Sequence, residues 1–210
     1  MNRKDINNAL ISTIKSPELE GLTTDFSEIL LERLTDANEI VKEVPIVGSV
    51  VKLFKIGISV KDILFLKKLC KFLWYIRDVP VRKREELIER LERDSKYKAA
   101  VGERIMLLLE RVDDFEKPKM MANAFKAYLY NEISYPQLQR INFGIDHLFI
   151  GDIDELKSFY DDPQHAMDES TRQNLELCGF VDLAMRMDRT SDAQINHFGK
   201  LFVEKVLLRG

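Results

Sequence analysis

"PIVGSVVKLFKIGISVKDILFLKKLCKFLWYI", residues 45–76, is nearly two-thirds apolar, yet it carries six lysines and a single acid. Whether this stretch is core, membrane segment or partner surface decides how the rest of the chain folds around it. A transmembrane helix needs roughly 18 or more consecutive apolar residues, and the longest uncharged run here is Val44–Val51. A lysine at the centre of an inserted helix costs about 2.5–3.5 kcal/mol, whereas each apolar residue returns only about 0.3–0.6. A conventional span is therefore not expected. Lying in a membrane interface is cheaper, because lysines extend to headgroups while apolar side chains dip below them.

The stretch divides in two. Pro45 suits a first helical turn, Gly57 interrupts, and Ser59 with Asp62 three residues on resembles a capping box. In the first helix Ile46, Val47, Val50, Val51, Phe54 and Ile58 share one face, with Lys52 and Lys55 away from it. In the second, Ile63, Leu66, Cys70, Leu73 and Ile76 form a stripe that Leu64, Phe65, Leu69, Phe72 and Trp74 widen, while Lys67, Lys68 and Lys71 cluster elsewhere. The first expectation is a core hairpin of an all-helical domain. The alternatives are an oligomer or protein-partner surface and an anionic membrane surface, for which Lys52, Phe54, Lys55, Phe65, Lys67, Lys68, Lys71 and Trp74 are the candidate residues.

Outward from this hairpin the three-and-four spacing of helices continues. Phe26, Ile29, Leu30, Leu34, Ala37, Ile40, Val41 and Val44 precede it, after a short amphipathic piece with Ile6, Leu10 and Ile14. Beyond the break "DVP" (78–80), Val81, Leu87, Ile88 and Leu91 point inward from a charged helix. Tyr97, Ala100, Val101, Ile105, Leu108, Leu109 and Val112 predict another, and Met120, Met121, Ala124, Phe125, Tyr128 and Leu129 a further one. Ser134, Pro136 and Gln137 mark a start for a helix running to about Phe149, which Gly151 stops. Asp152 as cap with Glu155 predicts a short helix through Tyr160. "DESTRQNLELCGF" predicts a helix ending near Gly179. "VDLAMRMD" then alternates with the two-residue period of a strand, "RTSDA" reads as a turn, "QINHF" as a return strand and "GKLFVEKVLL" as a closing helix.

The expected fold class is thus mainly α: a multi-helix bundle with a small C-terminal β-hairpin in a winged-helix-like element. The expected organisation is a helical domain over 1–163 and a helix–hairpin–helix element over 164–210. At 210 residues, 45% hydrophobic and 32% charged, the chain is long enough to bury a sizeable core.

Net charge near −3 argues against a generic nucleic-acid binder. The charge is uneven: residues 44–76 carry six Lys and one Asp, residues 150–170 seven acids and one Lys. Arg82, Lys83, Arg84, Arg90, Arg93, Lys96 and Lys98 form a basic run, but Glu85, Glu86, Glu89, Glu92 and Asp94 interleave at salt-bridge spacing. The presumed recognition helix opens with Asp168 and Glu169, which phosphates would repel, so that element reads as a protein-docking module.

Cys70 and Cys178 form no CxxC or Cys/His spacing and read as reduced core thiols of a cytoplasmic protein, with peripheral attachment to the inner membrane as the alternative. The N-terminus lacks a signal-peptide h-region. His147 lies in sequence among Asp146, Asp152, Asp154 and Glu155, but the fixed ligand pattern of a hard-cation loop is missing, so these acids read as helix-start and solvating groups. No GxSxG, Walker A or GxGxxG occurs. Neither catalysis, a metal nor a cofactor is expected.

"PIVGSVVKLFKIGISVKDILFLKKLCKFL", "EKPKMMANAFKAYLYNEISYPQLQRI" and "LELCGFVDL" followed by "INHFGKLFVEKVLL" together resemble bacterial helical proteins of unknown function, some near the abortive-infection or phage-defence type. The resemblance spans about residues 40–208. It implies a bacterial cytoplasmic protein, linked to mobile or defence genes, that acts through partners or membranes and carries no catalytic residue.

Overall fold

A computed structural model describes residues 3–22, 59–93, 101–185 and 191–209. The described chain is mainly helical, with one small antiparallel hairpin, and forms two compact units, Met1–Ala122 and Asn123–Gly210. The first predicted helix of the 45–76 stretch lies outside the described residues, as do the helix expected over 26–44 and residues Tyr97 and Ala100.

In the first unit, α1 (Arg3–Lys15) leads into a 3-10 turn (Pro17–Gly21). Then come α2 (Val60–Ile76), α3 (Val81–Arg93) and α4 (Val101–Arg111). Helix α1 packs against α3 and α4, and α2 packs against α4. Helix α2 starts where the sequence marks it. The Ser59 N–H donates to Asp62 Oδ2 at 3.0 Å and the Asp62 N–H to Ser59 Oγ at 3.2 Å, closing both halves of a capping box. From Leu66 onward the helix is buried nearly all round: Leu66, Leu69, Cys70, Phe72, Leu73, Trp74 and Ile76 are all in the core. So wide an apolar arc belongs inside a protein or a membrane, and here Leu10, Ile14, Leu19, Ile88, Ile105 and Leu109 are buried in the same unit. Among the described residues no helix is long and apolar enough to cross a membrane.

Helix α5 (Lys117–Leu129) contains the division between the units. The second unit adds α6 (Tyr135–His147), a 3-10 turn (Ile150–Asp152), α7 (Ile153–Asp161) and α8 (Glu169–Leu177). Strands β1 (Val181–Met185) and β2 (Ser191–Ile195) follow, then α9 (His197–Phe202) running into a π turn (Val203–Leu207). The hairpin pairs Val181 with Ile195 and Met185 with Ser191. Helix α6 begins as expected, with the Ser134 N–H donating to Gln137 Oε1 at 2.7 Å and Pro in the first turn.

Three local expectations are corrected. Helix α6 ends at His147, so Phe149 is extended and not helical. Asp152 makes no cap. It is buried, and the Thr171 hydroxyl and the Asn174 amide approach its two oxygens at 3.3 and 3.4 Å. The return strand spans Ser191–Ile195, starting within the expected turn, because Asn196 intervenes as a helix cap: its Oδ1 accepts the Gly199 N–H at 2.9 Å while its Nδ2 donates to Gly179 O and Asp182.

Both thiols are interior. Cys70 is fully buried, and loss of hydration by the thiolate pushes its pKa up to about 12. At pH 8 that leaves roughly one thiolate in ten thousand. Native chain should therefore leave Cys70 unlabelled by an aromatic disulfide reagent over an hour at pH 8, with labelling only in denaturant. Prompt native labelling of Cys70 would contradict this burial.

Candidate functional site

Three lysines of the 45–76 stretch, Lys61, Lys68 and Lys71, have identifiable counterparts. Lys61 Nζ lies 3.1 Å from Glu110, and Lys71 Nζ lies 2.6 Å from Glu116. Lys68 donates to the backbone carbonyl of Val112, just past the C-terminus of α4. The last carbonyls of a helix have no intrahelical donor and carry its negative dipole end, so an ammonium there satisfies both. Burial holds the Lys68 pKa below its ordinary value, opposed by Asp113 and Glu110. Asp113 lies below the usual carboxylate range, chiefly through its hydrogen bond from Lys117, which is itself buried and 2.6 Å away. The lysine stripe thus faces the acids and carbonyls of residues 110–116, within its own unit.

Trp74 is 8% exposed; the Arg77 guanidinium lies 3.2 Å from its ring centroid and donates to Trp74 O at 2.7 Å. Phe65 and Lys67 are half-buried, while Lys52, Phe54 and Lys55 lie outside the described residues. What α2 presents outward is its first turn: Val60 is 72% and Leu64 40% exposed.

Arg84, placed by sequence in the basic run, is fully buried. Its Nε donates to Val79 O at 2.8 Å and its Nη1 to Ser16 O at 3.0 Å and to Ile14 O. Its Nη2 donates to Glu20 at 2.9 Å, and the same Glu20 oxygen takes the Val81 N–H at 2.6 Å. One guanidinium thus ties the end of α1 and the 3-10 turn to the start of α3. A signal existed: Arg84 stands three residues after Val81 and four before Ile88, on the inward stripe. The basic run therefore loses a cation from its surface, and Arg82 pairs with Glu86 at 2.9 Å.

In the second unit exposed large apolar side chains stand at Tyr130, Phe143, Phe149, Leu177 and Leu208. Phe143 is 54% and Phe149 65% exposed. The His147 ring lies 4.2 Å from that of Phe143, and its Nδ1 is 2.9 Å from Phe143 O. The Phe149 ring lies on Gly151, where an added Cβ would sit 2.6 Å from it. The acids near His147 in sequence are dispersed: Asp152 is buried, Asp154 pairs with Lys157 at 3.3 Å, and Glu155 pairs with His165 at 2.8 Å. His197 instead meets Gln137 at 3.2 Å. Among the described residues no three His, Cys, Asp or Glu side chains are gathered as a metal ion would require. At the start of α8, Asp168 accepts from Ser170 and Thr171, which hold its pKa well below the carboxylate range. This is helix-cap chemistry, not a reactive site.

No family model, curated protein or solved structure matches the chain.

Proposed function

We propose that this chain is a non-enzymatic protein-interaction or regulatory module, built as a helical bundle whose C-terminal α8–β1–β2–α9 order makes a winged-helix-like docking element. The carrying observation is the exposure of Phe143 and Phe149, with the His147 ring tilted at 32° against that of Phe143. Aromatic side chains left in water at 54% and 65% are the type that protein interfaces bury as anchors. The engagement of Lys61, Lys68 and Lys71 by residues 110–116 favours a protein partner over an anionic membrane. The bacterial, cytoplasmic and phage-defence setting rests on the sequence resemblance alone.

A second reading, a membrane-associating effector acting through the 45–76 stretch, is favoured by Val60 and Leu64, exposed beside Lys61. A photo-reactive phenylalanine analogue placed in the full chain at 64, 143 or 149 separates the two in cells. Exposed Lys83 and Gln173 serve as control positions. Discrete protein adducts at 143 and 149, absent from the controls, are expected. Lipid adducts at 64 without protein adducts at 143 and 149 would replace the first reading by the second, and no adduct above the controls would overturn both.

A further inference from the structure

We draw no further inference here: the strongest candidate, the oxygen-rich cluster of Asp152, Thr171, Asn174 and Asp168 between the start of α7 and helix α8, is an acidic cluster held by hydrogen bonds among these residues and Ser170, beside which nothing among the described residues points to a ligand.

Discussion

Replacing Arg84 by Met should destabilise the first unit by about 3–5 kcal/mol, chiefly because buried carbonyl acceptors are left without a donor. Methionine keeps the length, the apolar stem and the helix propensity, so the loss reports the guanidinium. Without it the Val79, Ile14 and Ser16 carbonyls and Glu20 lose their shared donor. Each buried acceptor left unsatisfied costs about 1–3 kcal/mol, so the Val79 and Ile14 carbonyls alone reach this range, while the part-buried Ser16 carbonyl keeps the Leu19 N–H. At a urea dependence of about 2 kcal/mol per molar, the midpoint of that unit's transition should fall by about 2 M. Arg84→Lys should recover only a minor part, since a compact ammonium cannot span four acceptors on three segments. A shift below about 0.5 M for Arg84→Met would show that the buried guanidinium does not hold these segments together.

Gly199→Ala should cost the second unit about 2 kcal/mol net. A methyl on a helical glycine normally gains about 1 kcal/mol. Here the added Cβ would lie 2.1 Å from the Phe180 carbonyl oxygen and 2.7 Å from Ile195 Cγ1. Backbone cannot turn aside as a flexible side chain can, so α9 must move off the hairpin, and overpacking of this kind costs about 1–3 kcal/mol or more. That displacement also disturbs the stacked Phe180 and Phe202 rings, 4.2 Å apart at 7°. Gly144→Ala should act in the same direction, its Cβ 2.3 Å from Phe180 Cζ. Gly21→Ala meets nothing within 4 Å and is the matched control. Thermal melts of the three variants should rank Gly21→Ala nearest wild type; equal melts would sink this account of the packing.

These two positions show where the sequence was legible and where it was not. Periodicity located the described helices because an apolar stripe is a local property. The 59–62 and 134–137 caps could be read for the same reason, since their partners lie three residues apart. Strand β1 was visible through alternation, whereas β2 was misplaced because the cap at Asn196 depends on Gly179 and Asp182, far off in sequence. Arg84 read as part of a charged helix face because charge is a poor guide to burial when the acceptors are distant carbonyls. The acceptors of Lys61, Lys68 and Lys71 in residues 110–116 were not legible because they lie far off in sequence. Phe149 was expected to be helical because the end of α6 was placed two residues late.

The central claim is that α2 from Leu66 to Ile76 is internal to the first unit and is not a membrane-acting segment. Amide hydrogen exchange of the full chain, alone and with phosphatidylglycerol-rich vesicles, tests it directly. The amides of Leu66–Ile76 should exchange among the slowest in the unit and at the same rate with vesicles present, because their side chains are already buried in protein. Fast exchange of this segment in solution, or a change in its exchange when vesicles are added, would contradict it.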